Sequence, residues 1–498
     1  MSSQTAQQPA EPAGDGDAAD PNRWRALAVC LVGAFMVLLD ISIVNVALRS
    51  INQGLHASGD QIQWVLSGYS LTFGLMLVPA GRLGDLRGRR RLWIAGLLAF
   101  TMASVLCGAA PNSDWLVTAR LIQGLAAGLL TPQTSALIQQ MFTGRERGKA
   151  FGLLGATVGI STALGPVIGG LLIQLFGESD GWRYVFFVNL PIGLIVAPFA
   201  FRLLPGGRSG PAAERGRRQR RQDFDPIGVL LLGVGVVLLL LPFVQEQQWH
   251  GPLKWLLLPA AIAVLAGFLG WERHYRGTGR DALVDLDLFG HRSFSLGSSM
   301  ITIYFAGFTS LFFVLTLLLQ FGLGYSALLA GLTNLPFALG SGLAAVLAGR
   351  VVHRFGRGLV VTGLVLVSLG YLGVILAVRL APQHAVGWVL VAPLLVGGIG
   401  SGLVISPNQT LTLAEVPVER GGTAGGLIQV GQRIGSAVGI AAVGSAFYAQ
   451  LAASHGNYQH ALQRGLTVAV LFLLAALALS VADLTVRTGH GKRAQRQA

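Results

Sequence analysis

An aspartate stands in the middle of an apolar run, Leu39-Asp40-Ile41-Ser42-Ile43-Val44-Asn45. It is the one acid well inside any of the long apolar segments of this sequence. A carboxylate placed in hydrocarbon costs ~2.5–3.5 kcal/mol on insertion scales, so such a residue is expected to serve a function. The chemistry it offers is reversible proton uptake, or a counter-charge for a cation. The competing reading is structural, with Asp40 holding a buried arginine or a backbone amide. Arg120, in Arg120-Leu121-Ile122-Gln123-Gly124, is the natural partner. Helix rise puts Arg120 ~7.5 Å from the segment start at Trp115, and Asp40 ~13 Å from Arg49 on the same side. The two side chains meet if their helices adjoin. Asn45, Gln123, Asn189 and Arg433 are the further polar residues that could line a cavity between helices. Arg433, in Gly431-Gln432-Arg433-Ile434-Gly435, reads first as a cation for backbone carbonyls and second as a substrate contact.

Two motifs suggest mechanics rather than chemistry. Residues 81–91 contain Gly81, Gly84, Asp85, Arg87, Gly88, Arg89 and Arg90. Gly84 and Gly88 predict a tight turn. Asp85 is placed to cap a helix or pair with an arginine, and such a charge cluster can latch one conformation. In a later apolar run, Gly165-Pro166 is followed by Gly169-Gly170. Proline removes a helix hydrogen bond and bends the helix, and glycines at four-residue spacing make a close-packing face.

The elements that position these residues are transmembrane helices. The chain has 498 residues, only 12% of them charged, and a mean hydropathy of +0.61. A soluble protein carries about 25% charged residues. Apolar runs near the ~20 residues that cross a bilayer core recur fourteen times. The 68 glycines suit a helical bundle. With the N-terminus inside, 29 of the 36 Lys and Arg fall in inner segments and 5 in outer loops. That bias predicts both termini in the cytoplasm of a multi-pass inner-membrane protein. The +14 net charge therefore reads as topology, not as a nucleic-acid surface. The arginines of 205–225 are expected to lie near anionic lipid headgroups, or simply to fix topology.

A weak repeat organises the chain. Gly81-Arg82-Leu83 leads to Gly88-Arg89, and Gly349-Arg350-Val351 leads to Gly356-Arg357 at the same offset. The copies lie eight spans apart, where two six-helix halves alone would place them six apart. The expected division is a disordered 1–22, a six-helix bundle over 23–204 and a basic linker over 205–225. Two inserted helices over 226–271 and a loop over 272–294 follow, then a second six-helix bundle over 295–486 and a tail over 487–498. Asp483 and Arg487 read as an interfacial i,i+4 pair. Walker loops, metal-ligand clusters and nucleophile–base constellations do not occur in the sequence. The two cysteines, Cys30 and Cys107, offer no disulfide framework. No enzyme activity, cofactor or metal is expected.

Taken together, these motifs over residues 24–486 resemble the major facilitator superfamily, within it the fourteen-helix drug:proton antiporters. Residues 81–90 look like its first inner-loop motif, and Arg120 with Gln123 and Gly124 like its fourth-helix motif. Gly165-Pro166 with Gly169-Gly170 is similar to the fifth-helix antiporter motif, and Asp40 to Leu48 to the group's first-helix motif. The most specific match is Trp182-Arg183-Tyr184-Val185-Phe186-Phe187-Val188-Asn189-Leu190-Pro191-Ile192-Gly193, similar to its sixth-helix signature. Arg49, Leu86 and His353 depart from the usual proline, basic residue and acid. The resemblance implies an all-α fold of two six-helix bundles plus two inserted helices. It implies proton-coupled export of small molecules by a monomer, with Asp40 and Arg120 in proton coupling. An exporter of an endogenous metabolite or lipid precursor, and a non-transporting sensor or scaffold, are the alternatives. With Asp40 the only deep acid, substrates are expected to be amphipathic and aromatic, neutral or monocationic ahead of dicationic.

Overall fold

The structure is a computed structural model that describes residues 21–206, 225–244, 251–278, 280, 282–382 and 385–497. The expected disordered N-terminus and basic linker therefore fall almost wholly outside the described residues. Among the described residues, fourteen helices are long and apolar enough to cross a membrane, as the hydropathy pattern predicts. They are α1 Arg23–Leu55, α2 Gly59–Arg87, α3 Arg89–Gly108, α4 Ser113–Met141, α5 Gly144–Phe176, α6 Gly181–Leu203 and α7 Pro226–Val244. Then come α8 Leu257–Gly277, α9 Arg292–Gly322, α10 Ala327–Phe355, α11 Arg357–Leu380, α12 Val391–Thr412, α13 Gly421–Ala453 and α14 Tyr458–Gln497. With an even number of described spans, α1 begins and α14 ends on the same face. Side-chain caps start several helices. Ser58 and Gln61 form a capping box on α2, and Asn112 and Ser326 cap α4 and α10. Each cap satisfies backbone N–H groups that the first turn leaves without partners.

The packing repeats with the period the sequence suggests. In the first six helices, α1 packs on α5 and α6, α4 packs on α2 and α3, and α6 packs also on α3. In the last six, α9 packs on α13 and α14, α12 packs on α10 and α11, and α14 packs also on α11. Shifting each helix of the first set eight places along the chain gives the second. The halves join along two seams, α2 with α13 and α5 with α10. Helices α7 and α8 pack on each other, and α7 leans on α2 and α13, so the inserted pair flanks one seam.

Three local expectations change. Gly84 does not turn the chain: α2 runs through it to Arg87, and Gly84 gives room to the Gln133 side chain of α4. The turn falls on Gly88 alone, at φ 106°, a conformation that favours glycine. Asp483 is not an interfacial surface residue. Its side chain is 3% exposed and lies 3.0 Å from Arg357 Nε and 3.6 Å from Arg292 Nε. It is drawn to two cations of neighbouring helices, and the expected partner Arg487 has its side chain outside the described ones. Finally, α14 continues through the expected tail to Gln497.

Candidate functional site

Asp40 is wholly buried and fully partnered. Its Oδ2 accepts from Arg120 Nη1 at 2.7 Å. Its Oδ1 accepts from Gln123 Nε2 at 2.8 Å and from Asn189 Nδ2 at 3.2 Å. Ser104 Oγ on α3 accepts from the same two amides, at 2.7 and 3.2 Å. Arg120 Nη1 also donates to Gln123 Oε1 at 2.8 Å, and its Nε to the Val65 carbonyl of α2 at 3.0 Å. Tyr69 lies under the guanidinium, 4.0 Å from ring centroid to Cζ. One carboxylate thus ties α1, α4 and α6, Ser104 joins α3 through the two amides, and the arginine reaches α2. Removing either charge leaves the other buried and unpaired, a loss of ~3–5 kcal/mol for such pairs. Chemically the arrangement can hold a proton at Asp40, at the cost of releasing Arg120.

The structure brings Asp40, Arg120, Gln123 and Asn189 together and leaves two other candidates out. Gln123 and Asn189, considered as cavity lining, serve the ion pair instead. Asn189 reaches it because α6 is interrupted at Val188, where a new helical segment begins. Asn45 is exposed and donates to Ile41 O on its own helix at 3.1 Å. Arg433 lies across the seam on α13, over the Phe73 ring at 4.4 Å. Ser104 gave no signal in the sequence. A lone serine in an apolar helix more often bonds its own backbone.

The antiporter-like motif of α5 faces both its neighbours. Gly165 and Gly169 pack against Ser42 and Ile43 of α1, Gly170 against Leu328 of α10, and Pro166 against Gly331 of α10. A methyl group on Gly165 would collide with Ser42 Oγ. That close approach has a purpose in the backbone. Pro166 has no N–H for the carbonyl of Thr162, one turn earlier. Ser42 Oγ donates to this carbonyl at 2.9 Å. So the residue two places from Asp40 completes the bend of α5, and α5 forms one seam.

On the face that carries the termini, both seams are closed. Gly81 of α2 meets Gly422 of α13, and Gly349 of α10 meets Gly148 of α5, backbone against backbone. These are the two first glycines of the sequence repeat, each touching the opposite half. Asp85 then departs from the symmetry. Its Oδ1 accepts from Arg89 Nη2 at 2.8 Å and from Gly422 N at 3.1 Å. Its Oδ2 accepts from Thr423 N at 2.9 Å and Thr423 Oγ1 at 3.1 Å. The carboxylate of one half caps the first turn of α13 in the other, where the helix dipole favours an anion. Arg89 also donates to Ala136 O at 3.1 Å and to Val418 O. Arg90 donates to Phe201 O, and Arg87 is exposed.

Between the halves, Phe308 and Phe312 of α9 and Phe337 of α10 wall a small pocket with Asn334, Ser341 and Thr162. Tyr304 is buried and donates its hydroxyl to Ser401 Oγ at 2.9 Å.

Comparison with known proteins agrees with this architecture. The model of the Major Facilitator Superfamily matches residues 30–440. A probable actinorhodin transporter of Streptomyces coelicolor is 37% identical over 88% of this chain and 76% of its own length. The puromycin resistance protein pur8 of Streptomyces alboniger is 34% identical over 93% and 90%. The tetracenomycin C resistance and export protein of Streptomyces glaucescens is 32% identical over 84% and 75%. Among solved structures, the human organic anion transporter MFSD10 (TETRAN) superposes with a TM-score of 0.66 at 16% identity, over 93% of this chain and all of that one. The proton:xylose symporter XylE does so at 0.63 and 18%, over 92% and 95%. At such identities these two likenesses speak for the fold alone.

Proposed function

This chain belongs to the Major Facilitator Superfamily, and from that premise we propose that it is a proton-coupled antiporter exporting small amphipathic drugs or antibiotics. The membrane is the cytoplasmic one, and the face with both termini is the cytoplasmic face. The names of its relatives, which cite antibiotic transport, resistance and export, support the substrate class. The buried Asp40–Arg120 pair, at 2.7 Å, is the observation that carries proton coupling.

The mechanism follows from what the pair costs. With Asp40 ionised, Arg120, Gln123 and Asn189 converge on it and hold α1, α3, α4 and α6 together. A proton on Asp40 removes the anion for which these donors are arranged. Arg120 keeps the Val65 carbonyl and Tyr69 ring but loses its counter-charge, so the helices gain a reason to shift. The shift reaches α5 through Ser42 and Gly165, and α5 is one wall of a seam. The seams are closed on the face with the termini by the glycine contacts and Asp85. Opening them while the other face closes is alternating access, with small-molecule substrate and proton binding in turn.

The test is uptake of puromycin and of tetracenomycin C by inside-out vesicles with an acidified lumen. Uptake should follow the pH gradient and stop on addition of a protonophore. Uptake equal to that of vesicles lacking the protein, or unaffected by the protonophore, overturns the reading.

A further inference from the structure

Among the described residues, Arg89, Arg120 and Arg357 are buried in the helical bundle, and all three have acceptors within the protein. Arg120 has Asp40, Gln123 and the Val65 carbonyl. Arg89 has Asp85 and two carbonyls. Arg357 has Asn408, the Ser293 carbonyl and Asp483. Arg433 differs. Among the described residues no carbonyl, amide or carboxylate accepts from its guanidinium, and its contact is the Phe73 ring at 4.4 Å. It lies about 18 Å along α13 from Gly421, and it remains partly exposed. The structural role expected for it, binding backbone carbonyls, is not what it does.

An interior cation without an acceptor is costly, so its position makes sense if the acceptor comes and goes. The surroundings define what would fit. Phe73 and Tyr69 are neighbours on α2, their centroids 5.9 Å apart. Tyr69 stacks on Arg120 and Phe73 on Arg433, so two aromatic faces bridge the two cations. The Tyr69 hydroxyl is buried without a hydrogen-bond partner. Asp40 cannot serve as the counter-charge for a cationic ligand while both its oxygens hold donors. The deep charges at the seam are therefore two arginines and one neutralised carboxylate. That leaves a guanidinium free to take a planar oxyanion in two parallel hydrogen bonds, beside rings able to stack on an aromatic body.

We propose that Arg433 is the anion subsite of the substrate cavity, and that the preferred substrates are aromatic acids bearing a carboxylate or an ionised phenol. This reverses the sequence expectation, in which Asp40 was the deep charge available to substrate. The inference rests on the export reading but is tested without transport. Binding of 1-pyrenebutyrate, its methyl ester and 1-pyrenebutylammonium to purified protein in detergent, with no pH gradient, reads the subsite through pyrene fluorescence. The carboxylate should bind at least about tenfold tighter than the ester or the amine, a difference of about 1.4 kcal/mol. Arg433→Gln should erase that preference while leaving ester binding within about twofold, and Arg433→Lys should restore part of it. Equal binding of all three probes by the native protein overturns the proposal, and so does binding of none. Parallel loss of all three in both variants would mean that Arg433 is a packing residue. Failure of vesicle export with intact carboxylate preference would sink the export reading and leave the subsite standing.

Discussion

Asp85→Asn should loosen the closed end of the transporter by a calculable amount. The native carboxylate side chain is 3% exposed and takes three hydrogen bonds from the opposite half, two from backbone N–H groups of α13 and one from Thr423 Oγ1. An asparagine amide offers one acceptor oxygen and sets its NH2 against donors. A hydrogen bond to a charged group is worth about 1.5–3 kcal/mol, and the anion at a helix N-terminus up to ~2 kcal/mol more. Taking ~3 kcal/mol for the loss, the balance between closed and open forms shifts by about a hundredfold. Arg87 and Glu419 are exposed on either side of this contact, and both native cysteines are buried. Spin labels on Arg87→Cys and Glu419→Cys can therefore report the separation of the seam. In the native background the distance distribution should be short and single. With Asp85→Asn a longer component should dominate, and Asp85→Glu should retain part of the short one. Identical distributions in native protein and Asp85→Asn would mean that the glycine contacts alone close this end.

Three further outcomes follow from the site. Asp40→Asn should abolish gradient-driven export while the protein still inserts and folds, because Gln123 and Asn189 keep one acceptor; native efflux rates against a pH gradient would remove Asp40 from coupling. Ser42→Ala leaves the Thr162 carbonyl without its donor and should lower stability by about 1–3 kcal/mol, read as thermal unfolding in detergent. Pro166→Ala supplies that carbonyl with an N–H of its own helix, so adding it to Ser42→Ala should recover the stability yet slow turnover. If the double variant is no more stable than Ser42→Ala, the hydroxyl was not serving the proline gap.

Much of the architecture was legible because a bilayer imposes simple rules. A helix must be apolar over its span, and basic residues accumulate on one face, so hydropathy and charge mark the fourteen spans before any packing is known. The repeat was legible for a similar reason. Gly81 and Gly349 are each pressed backbone to backbone against the other half, where a side chain has no room. The partnership of Asp40 and Arg120 followed from their rarity and from a depth difference that their side chains can span. What stayed hidden is which face of each helix a residue takes. Gln123 and Asn189 turn toward Asp40 because α3 and α6 bring Ser104 and the Val188 break alongside, and no spacing along one helix encodes that. Asp483 illustrates the same limit. Its sequence neighbour Arg487 offered a local pair, but Arg357 and Arg292 come from helices far away in the chain.

The two halves use matching positions for different ends, and that difference bears on direction of transport. Arg89 and Arg357 begin α3 and α11 at equivalent places. Arg89 joins Asp85 and so belongs to a contact that must break when the seam opens. Arg357 joins Asp483, Asn408 and Ser293, all within the second half, and can keep its partners through the whole cycle. At the offset of Asp85 the second copy has His353, and no described bond carries it across to α5. Among the described residues the charged clasp holds one seam, α2 with α13, while uncharged packing that includes Gly148 and Gly349 holds α5 with α10. In the proposed mechanism, protonation at Asp40 is passed to α5 through Ser42, the seam without the clasp. Substrate at the proposed Arg433 subsite would lie on α13, the seam that has it. On that proposal proton and substrate act on different seams, so two ligands that never touch can still exclude each other.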